Sequence, residues 1–214
     1  MNRIVADLRK DYTLNALDSQ DVLASPFAQF GVWFEEALVS GILEPNAMIL
    51  STITTHQRPN ARVVLLKGFD ETGFVFYTNY ESQKAADIAA HSVAALTFWW
   101  DKLERQVRIE GMIKKVSEAE SNAYFAVRPR GSQIGAWVSA QSSVIANRDL
   151  LYQKQAELEA QFEGQTIERP PHWGGYRVEP DSIEFWQGQS SRLHDRLRYR
   201  LDAQNNWLIE RLSP

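Results

Sequence analysis

A row of basic residues near the end of the chain has the spacing of an anion-binding surface. If residues 192–200 form a β-strand, side chains alternate between its two faces, and the basic residues share one face. These residues are Arg192, His194, Arg196, Arg198 and Arg200. The row could bind a phosphate, a carboxylate or an electron-rich ring, or it could be a solvated strand edge. Trp186 lies shortly before it and could add a flat ring or an indole donor.

Three further clusters contain cations, and two of them also contain hydroxyl groups. Residues 62–67 are a predicted strand with a cation at each end. Residues 77–84 lead from a strand into a helix, and the free N–H groups of a helix N-terminus suit a phosphate. Tyr124 and Arg128 are four residues apart on one predicted helix face and, with Ser132, could clamp a phosphate. Each cluster also has a structural interpretation, as solubilising strand ends, an ordinary serine cap or an exposed helix pair.

The overall composition limits the possible functions. The chain has 214 residues, a formal net charge of −4 and no cysteine. A net acidic chain is poorly suited to coating nucleic acid or a membrane surface. The lack of cysteine excludes disulfides, thiolate nucleophiles and cysteine-based metal sites. The four histidines show no helix-face metal spacing, so no metal site is predicted, and there is no P-loop or dinucleotide-binding motif.

The expected location is the cytoplasm. The first ten residues contain charges where a signal peptide needs an unbroken apolar core. No stretch approaches the roughly 18 consecutive apolar residues of a membrane span.

Local patterns predict the elements that position these clusters. The apolar spacing after Pro26 predicts a helix that ends at Gly41. β-Branched and aromatic runs predict antiparallel strands at residues 47–55, 61–69, 74–78, 93–100 and 106–116. Helices are predicted at 82–91, 117–127 and 146–164, and further strands at 175–178, 182–186, 192–200 and 207–212.

Five consecutive strands with few crossover helices favour a barrel over a doubly wound sheet. The predicted fold class is therefore mainly β with α (α+β), an antiparallel barrel with peripheral helices. Residues 1–25 are polar and weakly periodic, which predicts an N-terminal arm. Residues 26–214 have the length and composition of a single domain.

Six motifs in order along the chain resemble one family. They are Arg-x-x-Leu-Leu-Lys at 62–67, Phe-Tyr-Thr-Asn at 76–79, Leu-Glu-Arg-Gln at 103–106, Arg-Pro-Arg-Gly-Ser-Gln-Ile-Gly-Ala-Trp at 128–137, Phe-Trp-Gln-Gly at 185–188 and Arg-Leu-His-Asp-Arg at 192–196. Together they resemble the pyridoxamine 5′-phosphate oxidase family across nearly the whole chain. The resemblance implies an FMN-binding split β-barrel and a homodimer with active sites at the subunit interface. It also implies that O2 oxidises pyridoxamine or pyridoxine 5′-phosphate to pyridoxal 5′-phosphate, with release of hydrogen peroxide, in vitamin B6 biosynthesis and salvage.

The resemblance also implies roles for individual residues. The FMN contacts would be Arg62, Val63, Val64, Leu65, Leu66, Lys67, Tyr77, Thr78, Gln83, Lys84, Gln106, Gln141, Ser142, Trp186 and Arg196. The substrate contacts would be Lys67, Tyr124, Arg128 and Ser132 around the phosphate, Arg192 and His194 over the pyridine ring, and Arg9 and Tyr12 from an N-terminal lid. Arg192 and His194 are the predicted catalytic residues, and they would position the ring without acting as an obligatory base. Arg196 would stabilise negative charge on reduced flavin, which leaves Arg198 and Arg200 as surface charges.

Two features depart from a simple transfer of these roles. Many family members have a basic residue at the position of Gln83, so we expect weaker binding of the FMN phosphate. Strand alternation would place Arg62 and Lys67 on opposite faces, so a shared pocket needs a bulge, a strand end or two subunits.

Three other functions stay open from sequence. The first is a related flavin oxidase that acts on another aromatic amine or heterocycle. The second is a non-catalytic binder of FMN or pyridoxal phosphate. The third, nucleic-acid binding through the basic row, conflicts with the net charge.

Overall fold

The computed structural model describes residue 8 and residues 10–214. The predicted substrate contact Arg9 lies outside the described residues. In the described chain there are five α-helices: α1 (Pro26–Val39), α2 (Gln83–Ala90), α3 (Glu118–Ala126), α4 (Arg130–Val138) and α5 (Asp149–Gln161). None of these helices has both the length and the apolar character that a membrane crossing requires.

Nine strands accompany the helices in the described chain. They are β1 (Ala47–Ile53), β2 (Pro59–Leu65), β3 (Gly68–Asp70), β4 (Gly73–Asn79), β5 (Val93–Trp100), β6 (Arg105–Lys115), β7 (Trp173–Gln187), β8 (Asp195–Leu201) and β9 (Trp207–Arg211). They form one mostly antiparallel sheet in the order β2-β1-β5-β6-β7-β4-β3, and β8 pairs with both β7 and β9. Short 3₁₀ turns lie at Asp101–Leu103 and Ser190–Arg192. This is the predicted mainly β architecture with peripheral helices.

Residue contacts divide the chain into two compact units. Unit 1 contains the described residues up to Ile49 together with Ala95–Gly111 and Pro180–Pro214. Unit 2 contains Leu50–Ala94 and Met112–Glu179.

The core of unit 1 forms where α1 packs its aromatic stripe on strand residues. The Ser25 hydroxyl accepts a hydrogen bond from the backbone N–H of Ala28 and caps α1. The Phe30 ring centre lies 5.2 Å from that of Phe98. Trp33 meets Phe185 edge to face at 5.1 Å. Burying each such ring stabilises the fold by roughly 2 kcal/mol.

The core of unit 2 lies between the short helices and the strands β4 and β7. Ser117 caps α3 by accepting a hydrogen bond from the N–H of Glu120 at 3.1 Å, as the capping-box spacing predicts. Phe125 on α3 and Ile134 on α4 are buried against Trp173, the first residue of β7. This packing holds α3, α4 and β7 together, and residues from all three line a cavity described below.

The structure corrects the prediction of a strand over residues 192–200. β8 begins only at Asp195, because Ser191 and Arg192 have φ values of +55° and +62° in the left-handed region. A strand cannot continue through such residues. Arg196, Arg198 and Arg200 do share one face of β8, but Arg192 and His194 lie in the turn before it.

Other boundary predictions were also wrong. α4 was not predicted, because Pro129 begins that helix as its N-cap as well as ending the preceding segment. α3 ends at Ala126, so Arg128 lies beyond the helix and does not share a helix face with Tyr124. The two strands predicted at 175–178 and 182–186 are one strand, β7. The strand predicted at 61–69 is divided into β2 and β3, which leaves Lys67 outside any strand and removes the parity argument about it.

Candidate active site

Unit 2 contains a cavity of about 440 Å³ that we call the cationic cavity. Residues from β2, β4, α2, α3, α4 and β7 line it. Eleven of the residues predicted to contact FMN or substrate are among them: Val63, Val64, Leu65, Lys67, Tyr77, Thr78, Lys84, Tyr124, Arg128, Ser132 and Gln141. Trp173 also lines this cavity and was not predicted from the sequence.

Arg128 provides a buried donor in the cationic cavity that has no hydrogen-bond partner. Within the described residues, its Nη1 atom is buried and makes no hydrogen bond. Its guanidinium carbon lies 4.4 Å from the ring centre of Trp173, which supports the guanidinium plane. Burial lowers the pKa of Arg128, although a guanidinium stays charged near neutral pH. An unpaired buried donor costs about 1–3 kcal/mol, and a phosphate or carboxylate would satisfy it through charge-assisted hydrogen bonds.

Three aromatic rings with nearly parallel planes line the cationic cavity. The ring centre of Tyr77 on β4 lies 3.9 Å from that of Tyr124 and 5.4 Å from that of Trp173, and the Tyr124 and Trp173 centres are 6.2 Å apart. Tyr77 pairs with Gly175 of β7, and a Cβ atom added there would lie 2.8 Å from the Tyr77 ring. Glycine therefore permits the close packing. Burial raises the pKa of Tyr77 to about 12, so its hydroxyl stays protonated.

Polar groups converge at the N-terminus of α2. Gln141 Oε1 accepts hydrogen bonds from Lys84 Nζ at 2.7 Å and from Thr78 Oγ1 at 3.2 Å. The backbone N–H of Gln83 donates to Ser142 Oγ at 3.2 Å. Gln83 and Ser142 do not line the cavity, but each is next in sequence to a residue that does, Lys84 and Gln141 respectively. The arrangement presents an ammonium group beside the positive end of a helix.

Arg62 faces a buried carboxylate and does not line the cationic cavity. Its Nη1 donates to Thr52 Oγ1 at 2.7 Å, and its Nη2 lies 3.4 Å from Asp87 Oδ2. Burial opposes the ionisation of Asp87, but hydrogen bonds from Gln83, Thr52 and other donors outweigh it and lower the pKa of Asp87. The charge of Arg62 is thus compensated. Burial, with the nearby Arg62, lowers the pKa of Lys84.

Unit 1 contains a second cavity, of about 640 Å³, that we call the aromatic cavity. Four predicted site residues line it: Tyr12, Trp186, Arg192 and His194. The ring centre of Trp186 lies 4.6 Å from that of His194 and 5.7 Å from that of Tyr12. Trp99 also lines the cavity, with its ring centre 6.0 Å from that of Trp186, and was not predicted from the sequence.

Backbone geometry explains how the side chains that line the aromatic cavity are positioned. Trp186 is near the end of β7, and the chain turns there through Gly188 towards β8. A Cβ atom at Gly188 would lie 2.6 Å from the Tyr12 ring, so glycine is needed for the arm to pack there. The backbone N–H of Gln189 donates to Nδ1 of His194 at 3.1 Å. In its neutral form, His194 therefore has its proton on Nε2.

The remaining predicted residues line neither cavity. Leu66 is in the core, and Gln106 is on β6. Arg196 is held by Glu184, with Nε–Oε1 and Nη2–Oε2 distances of 2.8 Å and 3.1 Å. Arg198 and Arg200 both pair with Glu210 on β9.

The missed residues differ in the signal that the sequence contains. Trp99 lies between two buried aromatic residues of β5, so strand alternation places its ring on the opposite, more exposed face. An exposed tryptophan beside a buried face is a detectable sign of a binding surface. Trp173 has no such signal, because its role depends on contacts with α3 that only the fold provides.

The fold is that of a split-barrel protein. The structure is similar to PhzG from Burkholderia lata 383 in complex with tetrahydrophenazine-1-carboxylic acid, with a TM-score of 0.88, 31% sequence identity, and coverage of 94% of this chain and 99% of that chain. It is also similar to a pyridoxamine 5′-phosphate oxidase-related, FMN-binding protein from Nostoc punctiforme PCC 73102, with a TM-score of 0.71, 17% identity, and coverage of 90% and 100%. The second likeness concerns the fold alone. The predicted split-barrel fold is confirmed.

Sequence comparisons give the family. A family model described as pyridoxamine 5′-phosphate oxidase matches residues 34–162, and one described as pyridoxine 5′-phosphate oxidase C-terminal dimerisation region matches residues 173–214. Proteins named pyridoxine/pyridoxamine 5′-phosphate oxidase are 58% identical in Acaryochloris marina, over 98% of this chain and 95% of the relative, and 57% identical in Trichormus variabilis, over the whole of both. The chain belongs to the pyridoxamine 5′-phosphate oxidase family and is an oxidoreductase.

Proposed function

We propose that the protein binds FMN and oxidises pyridoxamine or pyridoxine 5′-phosphate with O2. The products are pyridoxal 5′-phosphate, hydrogen peroxide and, from the amine, ammonia. The observation that carries the proposal is the buried, unpaired Nη1 of Arg128 in a cavity lined also by Lys67, Tyr124 and Ser132. The names of relatives more than half identical to this chain support the same substrates.

The residues at the N-terminus of α2 fit the phosphate of FMN. Lys84 is a partly buried cation there, and in the described part of the chain no carboxylate lies within ion-pair distance of its Nζ atom. Thr78 and Gln141 add polar groups to the same corner of the cavity. When bound, FMN supplies hydride acceptance and the transfer of electrons to O2.

The other residues of the cationic cavity bind and orient the substrate phosphate. The planar guanidinium of Arg128 donates two parallel hydrogen bonds to the phosphate, and Trp173 holds the guanidinium in place. Lys67 adds a second positive charge, and the hydroxyls of Tyr124 and Ser132 donate hydrogen bonds. Fixing the phosphate at several points orients the reacting carbon, which is the main requirement of a hydride transfer.

The aromatic cavity holds flat rings. Arg192 and His194 position the pyridine ring, Trp186 contributes a wall, and Tyr12 excludes water from one side. We propose that the protein is a cytoplasmic homodimer with its active sites at the subunit interface. The match of residues 173–214 to a dimerisation region supports the dimer.

The test begins with the visible spectrum of the purified protein. After addition of FMN we expect bound flavin, and after addition of pyridoxamine 5′-phosphate in air we expect peroxide and aldehyde in equal amounts. A protein that cannot bind FMN refutes the proposal. A protein that binds FMN but turns over neither phosphate would be a non-catalytic flavin binder.

A second candidate is an oxidase of another heterocycle. The similarity to PhzG, whose structure contains tetrahydrophenazine-1-carboxylic acid, is the observation that favours this candidate. Oxidation of a reduced phenazine carboxylic acid, without turnover of pyridoxamine 5′-phosphate, would replace the first proposal by this one.

A further inference from the structure

Glu104 is a buried carboxylate that the proposed chemistry does not use. It follows the 3₁₀ turn Asp101–Leu103, and only 2% of its side chain is exposed. Its backbone φ is +54°, a conformation that glycine adopts readily and that glutamate rarely adopts. A buried carboxylate at such a position needs compensating partners.

The N-terminal arm supplies those partners. Glu104 Oε1 lies 2.8 Å from Lys10 Nζ. Its Oε2 accepts hydrogen bonds from the backbone N–H groups of Thr13 at 2.9 Å and Leu14 at 3.3 Å. Among the described residues, every hydrogen-bond or ion-pair partner of this carboxylate comes from residues 10–14.

The backbone of Glu104 contacts the end of β7 and the turn after it, next to residues that line the aromatic cavity. Its carbonyl oxygen accepts hydrogen bonds from Gly188 N at 2.8 Å and from Gln187 Nε2 at 3.2 Å. One residue thus binds the arm through its side chain and the turn after β7 through its carbonyl. The arm residue between these anchors is Tyr12, whose ring packs on Gly188 and lies 5.8 Å from His194.

A second carboxylate anchors the chain further along. Asp195 Oδ2 accepts a hydrogen bond from the N–H of Leu17 at 3.0 Å. The arm from Leu17 onward therefore keeps an attachment of its own if the Glu104 contacts are lost. Release would be confined to the residues before it, which include Tyr12.

We propose that Glu104 is a positioning residue that clamps the N-terminal arm, so that Tyr12 closes the aromatic cavity over a bound ring. The residue acts through the arm and does not touch the reacting atoms. The inference rests on the proposed function only for the identity of the ring, the pyridine of a vitamin B6 phosphate.

The test uses the FMN-loaded protein and two variants. Glu104→Gln keeps the size of the side chain and removes its charge, and Glu104→Gly suits the left-handed backbone, so it preserves the local fold. The matched control is Glu179→Gln, which breaks an exposed pair with Lys114 of similar length, 2.6 Å, away from the arm. Mass spectrometry measures the rate at which chymotrypsin cleaves after Tyr12.

We expect cleavage after Tyr12 to be about tenfold faster in both Glu104 variants, because the clamped population falls when a charge-assisted contact is lost. The KM for pyridoxamine 5′-phosphate should rise by a similar factor while kcat changes less than about twofold. Lys10→Ala should speed cleavage in the wild-type background and have little further effect in the E104Q background. The control should match the wild type in both measurements.

Unchanged cleavage in both Glu104 variants would overturn the clamp. Faster cleavage with an unchanged KM would overturn its positioning role. If the wild-type protein does not oxidise pyridoxamine 5′-phosphate, the proposed function fails, and the cleavage rates still decide whether Glu104 holds the arm.

Discussion

Replacing Arg128 by alanine should separate substrate binding from stability. Arg128 Nη1 is buried without a partner, so a bound phosphate would gain hydrogen bonds that no protein group competes for. Hydrogen bonds to charged groups contribute about 1.5–3 kcal/mol each. Loss of about 3 kcal/mol would lower kcat/KM for pyridoxamine 5′-phosphate about 100-fold, since about 1.4 kcal/mol corresponds to a factor of ten.

The same substitution should leave the free energy of unfolding nearly unchanged. It removes a buried donor that costs about 1–3 kcal/mol when unpaired. It also removes the contact of the guanidinium with Trp173 at 4.4 Å, which contributes about 0.5–2 kcal/mol. These effects oppose each other, so we expect a change of less than about 1 kcal/mol in urea unfolding.

Steady-state oxidation with saturating FMN measures the effect on binding. Arg128→Lys keeps the charge but loses the planar fork, so its kcat/KM should fall about tenfold. Pyridoxamine without its phosphate is the matched substrate control, and its kcat/KM should be the same for wild type and Arg128→Ala. An unchanged KM for the phosphorylated substrate, or an equal loss with both substrates, would refute the phosphate-binding role of Arg128.

Three further predictions concern other parts of the structure. Gln83→Arg adds a cation at the N-terminus of α2, so the Kd for FMN, measured by quenching of flavin fluorescence, should fall about threefold to tenfold. Gly73→Ala should lower the free energy of unfolding in urea by roughly 3 kcal/mol, because Gly73 has a φ of +137° and an added Cβ would lie 2.1 Å from a carbonyl oxygen of β7. Hydrogen bonds from Arg200 and Arg198 lower the pKa of Glu210 to about 2. Because that pKa is below the unfolded value of 4.5, the stabilisation is present above pH 4.5 and is lost as pH falls through about 2, so Glu210→Gln should reduce stability at pH 6 and reduce it much less near pH 2.

Each of these predictions has a control and a contrary outcome. Gln155→Arg makes the same charge change on the exposed part of α5, and an FMN affinity equal to that of Gln83→Arg would contradict a local effect. Gly68→Ala places its Cβ where no heavy atom lies within 4 Å, so it should be tolerated far better than Gly73→Ala. For Glu210→Gln, a stability difference from wild type that is as large at pH 2 as at pH 6 would show that the effect is not the titration of this carboxyl.

Features encoded by adjacent residues were predictable from the sequence. The strand predicted at 93–100 matches β5 (Val93–Trp100) at both ends, because eight uncharged residues, five of them β-branched or aromatic, are bounded by a serine and an aspartate. The cap at Ser117 was predictable because its partner is three residues away. Motif resemblance added eleven residues of the cationic cavity, which lie on five separate helices and strands and in the loops between them.

Features that depend on unusual backbone or distant partners were not predictable. Ser191 and Arg192 adopt a left-handed backbone without being glycine, so nothing in their composition signals the turn that ends the basic row. β7 continues through Pro180, although proline usually argues against a strand interior. Arg62 is paired with Asp87, 25 residues away, and only the fold brings the two together.

Some cations of the predicted site are paired with carboxylates and others are not. This difference explains how an acidic chain can bind phosphates. Arg62 and Arg196 are paired with carboxylates that are buried in the fold, Asp87 and Glu184 respectively, so their charge is already compensated. Lys67, Lys84 and Arg128 line the cationic cavity, and among the described residues no carboxylate lies within ion-pair distance of them. A phosphate near neutral pH has close to two negative charges and is most strongly attracted where positive charge is uncompensated. The net charge of −4 therefore does not oppose phosphate binding, because the acidic residues neutralise other cations and leave this cavity positive.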